Sequence, residues 1–178
     1  MPAEALSRRA FLCLGSNVGD RALALGEARV RLEAAGVRLT AVSSLYETPP
    51  WGPVPQGPYL NQVVEVASPV GPRALLELAL AIERQLGRDR AREVRYGPRR
   101  IDIDILWFDG ETIAEADLEI PHPRLMERAF VLVPLVEIAP DFSAFGISAK
   151  AALAGLDASG IRRLGAAETA HEKGAAPS

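Results

Sequence analysis

Two aspartates, Asp102 and Asp104, alternate with Ile101, Ile103 and Ile105. Side chains of a β-strand point to opposite faces in turn, so this spacing sends the isoleucines into a core and both carboxylates to the other face. With a rise of ~3.3 Å per residue their Cα atoms lie roughly 6.5–7 Å apart. Oxygen ligands at that spacing, without a nearby cysteine, suit a hard cation such as magnesium, which binds through few carboxylates and completes its shell with substrate phosphates. A solvated polar strand face is the plain alternative. The residues just upstream favour the metal: seven arginines fall between positions 84 and 100, interrupted by acids only at Asp89 and Glu93. A charge run is often just a solvated surface. Placed beside a carboxylate pair, it is also what a polyphosphate requires, guanidinium forks on some oxygens and metal on others.

A second group of residues suits a flat heterocycle. Residues 48–58 carry five prolines, a stiff backbone unable to join a central strand. The stretch can serve as a polyproline ligand for another protein. It also runs directly into Tyr59 and Asn61 at a strand entrance, an aromatic plate and an amide fit for the edge of an aminopyrimidinone. His122 stands between two prolines, with Arg128 and Phe130 shortly after; a lone histidine is more often a structural hydrogen-bonder than a catalyst. Cys13, the single cysteine, sits in an apolar run and reads as core.

The elements that must position these residues follow from periodicity. Residues 10–14 predict a first strand, a glycine turn ends in Asp20 as a helix cap, and residues 21–35 predict a helix closed by Gly36. Residues 39–46 and 60–66 predict two strands flanking the proline-rich stretch. Pro72 opens a helix whose stripe of Leu75, Ala79, Ile82 and Leu86 ends at Gly87. The arginine loop spans residues 88–100, a strand 101–108, and a further C-terminal helix 131–138 before Pro140. This βαββαβ order predicts a ferredoxin-like α+β fold, an antiparallel sheet with its helices on one face and an extra C-terminal helix. Residues 1–164 read as a single domain, and residues 165–178, which lack apolar periodicity, as a disordered tail.

Bulk properties narrow the partners. The chain has 178 residues and a formal net charge of −3, which argues against bulk attraction to nucleic acid or anionic lipid and leaves local cation clusters to bind anions. No apolar run approaches a membrane span, and the arginine pair at positions 8 and 9 is followed by too short an apolar stretch for an export signal. A cytoplasmic setting is expected, consistent with one cysteine and no intrachain disulfide. Neither a P-loop nor a G-x-G-x-x-G turn occurs, so any ATP must be held by other means. A non-catalytic RNA-binding module is the competing reading of the arginine loop, weakened by the acidic overall charge.

Taken in order, G-S-N-x-G-D at residues 15–20, S-x-Y-x-T-P-P at 44–50, Y-L-N at 59–61, G-P-R-x-I-D-I-D-I-L at 97–106 and P-H-P-R-L-x-E-R-A-F-V-L-x-P-L at 121–135 resemble 6-hydroxymethyl-7,8-dihydropterin pyrophosphokinases. The resemblance implies an ATP-dependent diphosphotransferase of folate biosynthesis acting on two small molecules, with no nucleic acid, membrane or obligate protein partner. It implies two Mg2+ ions at Asp102 and Asp104, and a pterin stacked between Tyr59 and Phe130 with contacts from Gly15, Thr48, Pro49, Pro50, Trp51 and Asn61. ATP contacts are implied at Glu83, Arg88, Arg99, Ile105, His122 and Arg128, with Arg90 and Arg95 catalytic on a mobile loop. Tyr96 stands where related chains often carry Trp or Asn.

Overall fold

The structure, a computed structural model, describes residues 6–166 and 168; the predicted tail lies almost wholly outside them. Strand β1 (Arg8–Ser16) leads into helix α1 (Arg21–Ala34), capped by the Asp20 carboxylate accepting from the Leu23 amide. Strands β2 (Arg38–Val42), β3 (Tyr46–Thr48) and β4 (Tyr59–Ser68) follow, then α2 (Pro72–Gln85) with Pro72 in its first turn. After the arginine loop come β5 (Asp102–Phe108), the hairpin β6 (Ile113–Glu115) and β7 (Leu118–Ile120), and α3 (Ala129–Ile138). A short hairpin of β8 (Ser143–Ala144) and β9 (Ile147–Ser148), helix α4 (Ala149–Ala154) and β10 (Arg162–Arg163) complete the described chain.

The main sheet is antiparallel, with the order β10-β3-β4-β1-β5 and β2 also paired to β4. One predicted strand, 39–46, is two: Ser43 interrupts it, its amide and hydroxyl turned to β4 instead, with Val63 O accepting from Ser43 N and Ser43 Oγ accepting from Val63 N. Both pieces still pair with β4, so the break redirects the chain without leaving the sheet.

The two helices of the βαββαβ unit, α1 and α2, pack on one face of the sheet as expected, and the extra C-terminal helix α3 covers part of the other. Ala10, Leu12 and Leu14 of β1 pack with Leu25, Ala28 and Leu32 of α1 and Leu75, Ala79 and Ile82 of α2. Phe11 and Cys13 point the other way, with Val63 and Leu106, against Val131, Leu132 and Leu135 of α3. The physical reason lies in the sequence of β1, where apolar residues follow one another without alternation, as they do in a strand buried on both sides. The α3 layer covers only part of the second face. Beyond its end, β5 carries Asp104 and Asp102, β4 carries Asn61 and β1 carries Gly15 in place of large apolar residues, and there the site opens.

Candidate functional site

In the antiparallel register Cys13 lies opposite Asp104 and Gly15 opposite Asp102, while Gly15 also faces Asn61 across β4. Asp102, Asp104, Gly15 and Asn61 therefore project from one face of three adjacent strands, as the alternation required. They form the floor of an open cleft. One wall is Thr48, Pro49, Trp51 and Tyr59; the facing wall is Arg128 and Phe130 at the start of α3, and Tyr96, Gly97 and Arg99 close the end near Asp102.

The aromatic end is assembled in advance. Asn61 is buried, 4% exposed, and its Nδ2 donates to Thr48 Oγ1 at 2.7 Å. A Cβ at residue 15 would sit 2.7 Å from Asn61 Oδ1, so glycine there leaves the amide oxygen its place beside the cleft. Trp51 and Phe130 stand 6.2 Å apart between ring centres, tilted by 58°, and Arg128 lies over the Phe130 ring at 5.5 Å. Burial, then the charge of Asp102, holds the Tyr59 hydroxyl un-ionised by raising its pKa to about 12.

The carboxylate end is electrically unbalanced. The Asp104 carboxylate has no hydrogen bond or ion pair among the described residues; burial, then the neighbouring Asp102 charge, pushes its pKa up to about 7. Two oxygen-rich groups forced together with too little positive charge are a donor set that fits a divalent hard cation. Among the described residues no cluster of three or more His, Cys, Asp or Glu side chains gathers, so further ligands for such an ion have to come from solvent or substrate. Asp102 is oriented from behind: its Oδ1 accepts from Arg88 Nη1 at 2.8 Å. Arg88 is itself clamped by Glu93 at 2.6 Å and Glu83 at 3.0 Å, with its side chain only 4% exposed. Glu83 in turn accepts from the Ile103 amide at 2.9 Å, which ties α2 to β5.

The structure thus brings together Asp102, Asp104, Arg99, Arg128, Gly15, Thr48, Pro49, Trp51, Tyr59, Asn61 and Phe130 in one cleft. Pro50 lies next to it in the chain. Glu83, Arg88 and Arg90 line a second cleft at the end of α2, together with Arg84, Asp89 and Ala91; Arg88 joins the two by reaching Asp102. The Ile105 side chain is 5% exposed and packs in the helix-side core, because its place in the alternation is that of the isoleucines; only its backbone remains for a ligand. Arg95 does not line the cleft; its guanidinium lies 5.0 Å from the centre of the ring of Tyr96, which does. His122 is kept neutral, its pKa lowered to about 4 by burial and then by Arg128. Its Nδ1 accepts from the Arg124 amide at 3.1 Å, which leaves Nε2 as a donor.

Sequence reasoning missed the residues that join the loops. Asn17 Nδ2 donates to Gln56 Oε1 at 2.8 Å and to Gly57 O at 3.1 Å, while its Oδ1 accepts from the Arg99 amide at 2.8 Å. Gln56 Nε2 donates to Tyr96 O at 2.6 Å. Tyr96 has φ 59, and a Cβ on Gly52, whose own φ is +96, would lie 2.9 Å from the Tyr96 Cβ. The proline-rich and arginine loops interlock there. The amides and Gly52 were present as short polar stretches, but their partners are 39 to 82 residues away.

Fold and cleft define a small α/β enzyme built for group transfer, with a carboxylate floor and cationic and aromatic walls. The model of the 7,8-dihydro-6-hydroxymethylpterin-pyrophosphokinase (HPPK) family matches residues 11–140. A 2-amino-4-hydroxy-6-hydroxymethyldihydropteridine pyrophosphokinase of Methylorubrum extorquens is 49% identical over 157 residues, 88% of this chain and 98% of that protein. One of Bacillus subtilis is 50% identical over 130 residues, covering 72% of this chain and 77% of the relative. The chain belongs to the HPPK family. Among solved structures, Plasmodium falciparum HPPK-DHPS with pteroate superposes with a TM-score of 0.66 at 17% identity, over 83% of this chain and 44% of that longer one; at that identity the likeness concerns the fold alone.

Proposed function

We propose that this protein transfers a pyrophosphoryl group from ATP to the hydroxyl of 6-hydroxymethyl-7,8-dihydropterin, giving AMP and the pterin diphosphate for folate biosynthesis. One observation carries the assignment to this cleft: Tyr59 and Asn61 on β4, the carboxylates of Asp102 and Asp104 on β5, and Phe130 at the start of α3 open into the same space. A pterin seated in the slot points its hydroxymethyl arm along the floor towards the carboxylates. The family match and the relatives' names supply the substrate class.

In this reading the pterin oxygen attacks the β-phosphorus, and the bond from that phosphorus to the oxygen bridging to the α-phosphate breaks. Positioning and charge neutralisation supply most of the acceleration of such transfers. Asp102 and Asp104 would hold two Mg2+ ions, which supply Lewis-acid polarisation of the phosphates and a more acidic attacking hydroxyl. Arg99 and Arg128, already in the cleft, neutralise phosphate oxygens, and His122 Nε2–H donates a further hydrogen bond. Glu83, Arg88 and Arg90 form the nucleotide side through the second cleft. Arg90 and Arg95 act once the loop swings in, since in the present arrangement they lie on Glu83 and Tyr96.

The strand order, with β5-β1-β4 and then β2 and β3, supports a ferredoxin-like reading of the sheet once β10 is set aside. No described helix is long and apolar enough to cross a membrane, and a cytoplasmic setting with two small-molecule substrates and no nucleic-acid partner belongs to the same proposal. Its test is the release of AMP from ATP and magnesium with and without 6-hydroxymethyl-7,8-dihydropterin, alongside thermal shifts with single-stranded RNA. Pterin-dependent AMP is expected. Stabilisation by RNA without pterin-dependent AMP would sink the proposal and favour the binding-module alternative.

A further inference from the structure

The wall of the ring slot is backed by a segment that lies beyond the residues matched by the family model. Strand β10 pairs antiparallel with β3, Arg162 opposite Glu47 and Arg163 opposite Tyr46. The Leu164 amide donates to Leu45 O at 2.9 Å, and the Leu164 side chain is buried, 9% exposed, in the helix-side core. Arg162 also reaches Glu47 at 3.4 Å, and Glu47 pairs with Arg21 at 3.0 Å. A short strand with no neighbour on one side has unpaired backbone groups and frays readily; here β10 covers the outer edge of β3. β3 ends in Thr48, which holds Asn61, and continues into Pro49, which lines the cleft.

The turn before β10 is fitted to that wall. The Ser159 amide donates to Asp157 Oδ1 at 2.9 Å and the Ile161 amide to Ala158 O at 3.0 Å, which brings Gly160 against the proline. A Cβ at residue 160 would lie 2.7 Å from Pro49 Cγ and 3.4 Å from its Cδ. Gly160 does not have its φ in the left-handed region, so glycine is required for space and not for backbone freedom. The Pro49 ring cannot rotate aside, because it is closed onto the backbone. Any side chain at residue 160 must push either the strap outwards or Thr48 and Pro49 into the slot.

We propose that Gly160 and β10 are positioning elements of the pterin slot, fixing how far the Thr48–Pro49 wall stands from the facing aromatic ring. The inference rests on the cleft being the pterin site. Gly160 is exposed, so Gly160→Ala should fold. The expected result is a dissociation constant for 6-hydroxymethylpterin raised about fivefold or more, with a nonhydrolysable ATP analogue held within about twofold of wild type. Titration calorimetry of both ligands, with a thermal melt of each variant, reads this directly. In a double-mutant cycle, Pro49→Ala removes the ring that the new methyl meets, so Gly160→Ala should cost far less pterin affinity on that background than on wild type. A Gly160→Ala protein that binds pterin like wild type, or weakens both ligands alike, or shows no coupling to Pro49, overturns the proposal. If wild type binds no pterin, the slot itself is misread and both readings fall; pterin binding by wild type with an indifferent Gly160→Ala removes only the strap.

Discussion

The two ends of the cleft are prepared in different ways. At the aromatic end, Asn61 has one short bond to Thr48 and its oxygen beside Gly15, and Trp51 and Phe130 meet in a tilted ring contact; among the described residues no ion pair has to be broken before a ring enters. At the arginine end, the cations are already partnered by the protein's own acids: Arg88 by Glu83, Glu93 and Asp102, Arg90 by Glu83, and Arg99 by Glu93 at 3.4 Å. Rings and a neutral amide cost little to leave open to water. A cluster of cations without its polyphosphate does not, since buried charge must be compensated. On the proposed reading, filling one end is occupancy, whereas filling the other is an exchange of partners at the loop that bears Glu93.

The largest test of this contrast is at the carboxylates that both ends share. Asp102→Asn and Asp104→Asn keep shape and remove charge, and each is expected to lower turnover by about a thousandfold, roughly 4 kcal/mol, in a protein that still folds; near-normal magnesium-dependent activity in either would refute their metal role. Asn61→Ala should weaken pterin binding by about 2 kcal/mol through the lost amide and leave an ATP analogue almost untouched. Equal losses for both ligands in a titration would erase the distinction between the ends.

Smaller effects lie in the loop. Arg95→Ala should slow the single-turnover step at least about tenfold, ~1.4 kcal/mol, with little change in equilibrium pterin affinity; a strong loss of pterin binding with an intact quench-flow rate would make the loop a static wall. Glu93→Gln removes a carboxylate that competes with phosphate for Arg88 and Arg99. Affinity for the ATP analogue should rise by about threefold, under 1 kcal/mol, and a fall would mean that Glu93 holds Arg88 in place for the nucleotide.

A separate test concerns pH and stability. His122 has a pKa near 4 in the folded protein, pushed down by burial and Arg128, against about 6.5 when unfolded. Between those values the unfolded chain takes up a proton that the folded one refuses, so this contribution to stability is complete above about 6.5 and is lost as pH falls towards 4. Denaturant melts across that window should show a shallower decline for His122→Gln than for wild type; parallel curves would remove His122 as the cause.

Much of this could be read from local pattern. The alternation in residues 101–105 placed both aspartates on one face because a strand has a period of two wherever it lies. Pro72, the apolar stripe and Gly87 bounded α2 for equally local reasons. The layer count was also legible, since the unbroken apolar run of β1 required cover on both faces, which α1 and α2 give on one and α3 on the other. The split at Ser43 was not legible: it depends on hydrogen bonds to Val63, twenty residues on.

Residue types and spacing by themselves determined which groups could bind metal, ring and phosphate, because those capacities belong to side chains and to the two-residue repeat of a strand. The sequence likewise determined where the arginines were concentrated. Tertiary structure alone decided which of them face the cleft: Arg99 and Arg128 line it, Arg88 is buried behind Asp102, and Arg95 lies on Tyr96. It also decided that Asn17 locks two loops and that Gly160 backs Pro49. The reason is that a long cation goes to whichever carboxylate or ring the fold brings within reach, and a glycine matters only for what stands against it; neither neighbour is written in the local sequence.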